Sequence, residues 1–291
     1  MDHSPAFDVP FVLGMMRLHE GDELHDPERL ADWIEARLDQ GLYWFDHADV
    51  YGDRQGETLF GAALKQRPSL TSRVRVVTKA SIVTPGRDTS PYAVKHYDSS
   101  NDYLTAAIDA SLQRLGVEHL DHFLLHRPDP LMDAQATARA LDNAIDAGKI
   151  GAAGVSNFLP EQWRRLQAAM NHTLVGHQLQ LSLAHPEPLF DGLYDAVLAD
   201  SLSPMAWSPL GGGTVFEDVL GASLSRLAED FAASSAGLAL AWLRALPGHP
   251  VPVIGTLKEE RIDELLDGAR YDINRPTWFA LLEEARGHRV P

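Results

Sequence analysis

Four side chains in the first half of the chain have the types and spacing for proton transfer: Asp46, Tyr51, Lys79 and His126. The run Gly41-Leu42-Tyr43-Trp44-Phe45-Asp46-His47-Ala48-Asp49-Val50-Tyr51-Gly52 is a short apolar segment that stops abruptly in acidic and hydroxylic residues. That is the pattern of a buried strand delivering side chains to a site at its carboxyl end. A phenol titrates at about 10 in water, too high for easy proton donation at neutral pH, but a neighbouring ammonium stabilises the phenolate and lowers that value. Lys79, which closes the next apolar run, Arg73-Val74-Arg75-Val76-Val77-Thr78-Lys79, would supply the charge. Asp46 would hold Lys79 ionised and in place, and His126 could hydrogen-bond the oxygen that receives the proton. Such an acid site needs no nucleophile.

The elements that must position these groups follow from the apolar periodicity. Phe11 to Gly14 reads as a first strand, and Asp26-Pro27 as the cap and first position of a helix whose stripe is Leu30, Trp33, Ile34 and Leu38. Further strands are expected up to Asp46, up to Lys79, at His122 to Leu125, Ile150 to Val155, Leu174 to Leu181, Met205 to Trp207 and Val251 to Ile254. Helices are expected at Glu57 to Gln66, Leu104 to Leu115, Asp133 to Gly148, from Pro160, over Leu189 to Leu198, and at Leu238 to Leu246, Glu259 to Asp267 and Pro276 to Glu284. Residues 80 to 100 are rich in Thr, Ser, Pro, Gly and Asp, have no apolar period and read as a long loop, a class that is commonly functional. Eight apolar runs alternating with helical patterns predict a (β/α)8 TIM barrel, an α/β fold, as one domain over residues 1–291. The rival doubly wound sheet would announce a nucleotide with G-x-G-x-x-G, which does not occur. In a barrel, Asp46, Lys79, His126, Asn157, Gln178 and Trp207 all fall at or close to strand ends that share one mouth, with Tyr51 just beyond.

Composition narrows the function. The 291 residues are 45% hydrophobic and 23% charged, an ordinary globular balance, and the formal net charge of −16 argues against nucleic acid and anionic membranes as general partners. The absence of cysteine removes disulfides, a thiolate nucleophile and thiolate metal sites. The start, Met1-Asp2-His3-Ser4-Pro5, lacks a basic, apolar leader pattern, and no apolar run nears the roughly 20 residues that span a bilayer, so a cytoplasmic location is expected. A metal-dependent hydrolase is the competing enzyme class, with His47, Asp49, His126, His177 and His185 as conceivable ligands. No H-x-H pair marks the first strand, and no metal is expected.

Several motifs carry a family resemblance: Phe45 to Gly52, Val77-Thr78-Lys79, Leu124-Leu125-His126-Arg127-Pro128-Asp129, Gly154-Val155-Ser156-Asn157-Phe158 and Met205-Ala206-Trp207-Ser208-Pro209-Leu210-Gly211. Together, from about Phe11 to about Asp267, they resemble the aldo-keto reductase family. The resemblance implies a TIM barrel and carbonyl reduction with an extended NADP(H), without a Rossmann domain or a metal. It places the catalytic tetrad at Asp46, Tyr51, Lys79 and His126. The nicotinamide carboxamide would meet Ser156, Asn157 and Gln178, with Trp207 as the shelf under the ring and Ser208 and Leu210 in the cofactor-binding turn after it. Ile254-Gly255-Thr256-Leu257-Lys258-Glu259-Glu260-Arg261 resembles the segment that grips the adenosine 2′-phosphate, through Thr256, Lys258 and Arg261; the plain alternative is an amphipathic helix start with Arg261 paired to Glu264. Met16 and Arg17, with Tyr51 and His126, would wall the pocket for a small carbonyl substrate. His47 stands where many members have Thr, Met16 where an aromatic is common, and Leu265 where an Asn often contacts adenine. A second reading of the same residues is an NADP(H)-binding regulatory or redox-sensing barrel with little turnover. The substrate, the direction of reaction and the oligomeric state are not written in these motifs.

Overall fold

The computed structural model describes residues 7–87 and 92–290. The expectation about the first five residues, and the part of the 80–100 loop at 88–91, lie outside the described residues. In chain order the elements are β1 (Val12–Gly14), α1 (Pro27–Asp39), β2 (Trp44–Asp46), α2 (Gln55–Gln66), β3 (Arg75–Ala80), β4 (Ile82–Val83), β5 (His96–Tyr97) and α3 (Asn101–Leu115). There follow β6 (Leu120–Leu125), α4 (Ala134–Asp146), β7 (Ile150–Ser156), α5 (Pro160–Gln167), β8 (Gly176–Gln180), α6 (Leu193–Ala199), β9 (Ser203–Trp207), α7 (Asp218–Asp230), α8 (Ser235–Arg244), β10 (Val251–Ile254), α9 (Glu259–Gly268) and α10 (Arg275–Arg286). The hydrogen-bonded order of the main strands closes on itself as β1-β10-β9-β8-β7-β6-β3-β2, the (β/α)8 barrel that the alternation predicts.

Contacts along the backbone group into two compact units: Leu13–His177, and the chain from Gln178 onward with the segment that ends at Val12. In the first unit, β2 pairs in parallel with β1 (Leu13 beside Phe45) and with β3 (Phe45 beside Val76), while β6 joins β3 to β7 (Lys79 beside Leu124, Leu124 beside Gly154). Gly154 is required at its place, since an added Cβ would lie 2.6 Å from the Leu124 side chain and 2.7 Å from the Gly176 carbonyl. The capping signals act as read. Asp26 accepts the Arg29 amide at 2.9 Å, Pro27 opens α1, and Gly41 leaves it with φ +81°; a cap of this kind contributes about 1 kcal/mol. Leu30, Trp33 and Ile34 are buried under α1, and Leu38 only partly.

In the second unit, β9 and β10 pair in parallel with Trp207 beside Val253. The carboxyl-terminal helix α10 docks on α8 through Trp242 and Trp278. Their rings stack 4.9 Å apart at 5°, and each indole N–H donates to the other's backbone carbonyl, at 3.2 and 2.9 Å. Each indole N–H is thereby satisfied, with Trp242 fully buried and Trp278 partly exposed.

Three expectations are corrected. The 80–100 stretch is not without structure: β4 and β5 pair antiparallel, Ile82 beside Tyr97 and Val83 beside His96, strands too short to show a period. The helix expected over Leu189 to Leu198 is broken. A 3-10 turn over Glu187–Leu189 gives way to α6 only after Gly192, whose φ of +88° is left-handed and ends any continuous helix. Finally, α7 was not anticipated. Its buried face is Gly221, Ser223, Leu224 and Ala228, too small and too polar for an apolar stripe, and Gly221 lies against the Phe216 backbone where no side chain fits.

Candidate active site

The first unit brings the four candidate residues together. β2 ends at Asp46 and β3 carries Lys79 two positions beyond Val77, the register partner of Asp46. The ladder continues past the strand end, with the His47 amide donating to the Val77 carbonyl at 2.7 Å and the Asp49 amide to the Lys79 carbonyl at 2.9 Å. On the other side of β3 the His126 amide donates to the Ala80 carbonyl at 2.8 Å. Backbone pairing therefore fixes where three of the four side chains start.

Lys79 is fully buried, and its ammonium donates to Asp46 Oδ2 at 2.6 Å and to the His47 carbonyl at 2.7 Å. Burial alone would lower the lysine pKa, but Asp46 and Tyr51 outweigh it and hold the pKa above its ordinary value. The site therefore contains a fixed positive charge at any ordinary pH. Lys79 Nζ lies 5.0 Å from the centre of the Tyr51 ring, and the Tyr51 and His126 rings meet edge to face, 5.9 Å apart at 85°.

From the sequence alone, Lys79 is expected to bring the phenol below its ordinary pKa. The structure gives the opposite net direction: burial raises Tyr51, Lys79 pulls it back down only in part, and the Asp46 carboxylate adds to the rise. The phenol is accordingly protonated across neutral pH, beside a cation that would stabilise its anion. His126 is driven the other way. Burial, then Lys79, Arg127 and Lys95, push its pKa well below the ordinary value, so the ring is neutral and has one N–H to donate. Its Nδ1 has no hydrogen-bond partner among the described residues.

Next to this group, Ser156 ends β7 almost fully buried and Asn157 follows with φ +61°. The Asn157 amide nitrogen donates to Ser156 Oγ at 2.8 Å and to the His126 carbonyl at 3.3 Å. A non-glycine residue in this left-handed conformation is a strained position of the kind that gathers at ligand sites. Of the expected pocket wall, Met16 is 45% exposed and Arg17 pairs loosely with Glu20 at 3.8 Å.

The second unit holds the remaining predicted residues. Gln178 is buried on β8 with its amide nitrogen 4.0 Å from Met205 Sδ, a weak contact. Trp207 ends β9 partly exposed, and Ser208 follows with φ +49° ahead of Leu210. Thr256 accepts the Lys258 amide at 3.3 Å, and Lys258 is the N-cap of α9 with no side-chain cap bond. Lys258 and Arg261 are exposed, and no ion pair engages either among the described residues, so the Arg261–Glu264 pairing does not form. Two cationic side chains at an uncapped helix start fit a phosphate, although Glu259 and Glu260 in the same turn oppose one.

The histidines named as conceivable metal ligands are packed in the core or paired elsewhere. Both nitrogens of His47 are buried without a hydrogen bond among the described residues, its ring packs edge-on against Phe60, and burial followed by Lys79 lowers its pKa to about 3. His177 Nε2 donates to the Phe158 carbonyl at 2.9 Å, and its ring packs against Trp163. His185 pairs with Glu187 at 3.1 Å. Among the described residues no group of three ligating side chains could hold a metal ion, and no helix is long and apolar enough to cross a membrane.

Sequence reasoning missed the supports of Tyr51. The Asp49 carboxylate, buried two residues before it, meets Arg87 Nη1 at 3.3 Å and the Tyr103 hydroxyl at 3.3 Å. Burial raises the Asp49 pKa to about 6, with Arg87 opposing the shift. These partners are 38 and 54 residues away in sequence, beyond the reach of any local pattern.

Comparison with known proteins identifies the family. The model of the Aldo/keto reductase family matches residues 10–274. A 6-dehydroglucose reductase of Agrobacterium fabrum is 40% identical over 283 residues, covering 96% of this chain and 95% of that protein. Oxidoreductase YdhF of Escherichia coli is 38% identical over 286 residues, covering 97% and 95%. Among solved structures, an aldo-keto reductase of Klebsiella pneumoniae in complex with NADPH superposes with a TM-score of 0.78 at 25% identity, covering 96% of this chain and 91% of that one.

Proposed function

The chain belongs to the aldo/keto reductase family of oxidoreductases, and on that premise we propose that it reduces an aldehyde or ketone to an alcohol with NADPH, using Tyr51 as proton donor. The observation that carries the proposal is the buried Lys79–Asp46 pair at 2.6 Å, held against a protonated Tyr51 and a neutral His126. When bound, the dihydronicotinamide supplies a hydride to the carbonyl carbon. Tyr51 gives its proton to the carbonyl oxygen as negative charge develops there, and the phenolate left behind is stabilised by Lys79 until solvent reprotonates it. Asp46 keeps Lys79 charged and aimed. His126, neutral, donates a hydrogen bond to the same oxygen and orients it.

For the cofactor, Ser156, Asn157 and Gln178 are proposed to bind the carboxamide, Trp207 the ring face, Ser208 and Leu210 the following turn, and Thr256, Lys258 and Arg261 the 2′-phosphate. A carbonyl substrate would lie against Met16 and Arg17. NADPH rather than NADH is favoured because the two cations at the start of α9 are not committed to carboxylates, and a guanidinium can take two phosphate oxygens at once.

The test is NADPH oxidation followed by absorbance with a panel of aldehydes, ketones and quinones, repeated with NADH. The panel should include 6-dehydroglucose, for which the 40% identical relative is named. Turnover of at least one carbonyl with NADPH preferred supports the proposal. Tight NADPH binding with no turnover across the panel would instead favour a cofactor-binding, sensing barrel.

A further inference from the structure

We propose that Arg87 is a positioning residue for Tyr51, clamping the turn that carries the phenol from both sides. The guanidinium donates from Nε to Asp53 Oδ1 at 2.7 Å, from Nη2 to the Asp49 carbonyl at 2.8 Å, and from Nη1 to Asp49 Oδ2 at 3.3 Å. Asp49 and Asp53 stand two residues before and two residues after Tyr51, so one planar fork spans the proposed acid. The arginine side chain is only 8% exposed and Asp49 6%, which limits the competition with water that makes surface pairs weak; Asp53, 76% exposed, is the solvent-facing arm of the clamp.

The turn needs such a restraint. Gly52, Asp53 and Arg54 have φ of +56°, +49° and +75°, three successive residues in the left-handed region, two of them with side chains that rarely adopt it. Gly52 also admits no Cβ, because His19 occupies that space. A strained turn persists only when its surroundings over-determine it. Here the outside restraints are Arg87 and the Tyr103 hydroxyl on Asp49.

Arg87 belongs to the excursion between β3 and α3, whose two ends are in turn fixed beside His126. Ser81 Oγ donates to the Arg127 carbonyl and accepts the Arg127 amide, both at 3.1 Å, and Asp129 accepts the Ser99 hydroxyl at 2.9 Å and its amide at 3.2 Å. The excursion is thus fastened to the residues following His126 and, through Arg87, to the residues around Tyr51. It sets the spacing of the two rings that meet edge to face. Loss of the clamp would let the phenol drift relative to Lys79 and His126, and a misplacement of about 1 Å at a reacting group costs up to about 100-fold in rate.

The inference rests on the reading of Tyr51 as the acid, and its test separates the two. With 4-nitrobenzaldehyde as probe substrate, Arg87→Ala is expected to lower kcat by about 10- to 100-fold with NADPH affinity within about twofold of wild type, and Arg87→Lys to recover part of the loss. In a Tyr51→Phe background, Arg87→Ala should have no further effect, because the group it positions is gone. Hydrogen exchange of the amides at 49–55 with NADPH present should be at least about tenfold faster in Arg87→Ala than in wild type. Unchanged exchange, unchanged kcat, or an equal loss in the Tyr51→Phe background would overturn the clamp. Full activity of Tyr51→Phe itself would overturn the acid instead, while faster exchange at 49–55 would still identify Arg87 as the restraint on the turn.

Discussion

Thr78 and Lys79 are neighbours on β3, point to opposite faces of it, and each meets a buried carboxylate, yet the two ion-pair systems differ in one respect. Outside the strand, Glu57 on α2 is saturated: it accepts from Thr78 at 2.6 Å, Ser111 at 3.3 Å and Arg114 at 2.7 Å. All of its partners are donors, Arg114 also bonding Ser111 Oγ at 3.1 Å, and the cluster ties α2 and α3 to β3. Inside, the ammonium of Lys79 donates to Asp46 and the His47 carbonyl, and its remaining capacity is turned to the Tyr51 phenol. A buried charge whose valences are used up holds the fold. One with capacity turned to a titratable group can alter that group's chemistry.

The largest effect should come from breaking the inner pair. Lys79→Met removes the cation beside Tyr51 and takes from the buried Asp46 the ammonium that balances its charge, so kcat should fall by at least about 10²- to 10⁴-fold. Stability should drop as well, by about 3 to 5 kcal/mol on denaturant unfolding. Breaking the outer pair should separate the two properties. Glu57→Ala strands Arg114, itself only 17% exposed, and should cost about 3 kcal/mol of stability, while kcat per folded molecule stays within about twofold of wild type. A catalytic loss from Glu57→Ala as large as that from Lys79→Met would erase the distinction.

A smaller effect concerns acid. His47 is held neutral, its pKa lowered to about 3 first by burial and then by Lys79. Between that value and its ordinary 6.5, the unfolded chain binds a proton that the folded one does not. Unfolding therefore takes up protons, and the contribution of His47, complete above the ordinary pKa, is lost as pH falls toward 3. At a pH of about 4.5 the loss is about 2 to 3 kcal/mol. Melting temperatures from pH 7 to 4.5 should decline more steeply for wild type than for His47→Leu; parallel curves would show that His47 is not buried neutral.

How much of this was legible in the sequence depends on distance along the chain. Asp46, Lys79 and His126 were readable because each ends an apolar run, and strand pairing carries such ends to one place without further information. The caps of α1 and the closing of the barrel are local or periodic signals in the same sense. The direction of the Tyr51 pKa was misjudged because charge is visible in a sequence while the depth of burial that opposes it is not. Arg87 escaped notice because its acceptors lie 34 and 38 residues away and the stretch around it has no period. For α7, a buried face of Gly221, Ser223, Leu224 and Ala228 offers packing without an apolar stripe to announce it.

The central claim is that Tyr51 donates the proton, and single-turnover reduction of a carbonyl by NADPH-loaded wild type and Tyr51→Phe tests it most directly. Removing the hydroxyl deletes the proton donor and no proposed cofactor contact. The hydride-transfer rate should fall by about 10²- to 10⁴-fold while NADPH binding, followed by fluorescence titration, is nearly unchanged. A Tyr51→Phe enzyme that kept more than about half of the wild-type rate with hydride transfer limiting would contradict the account.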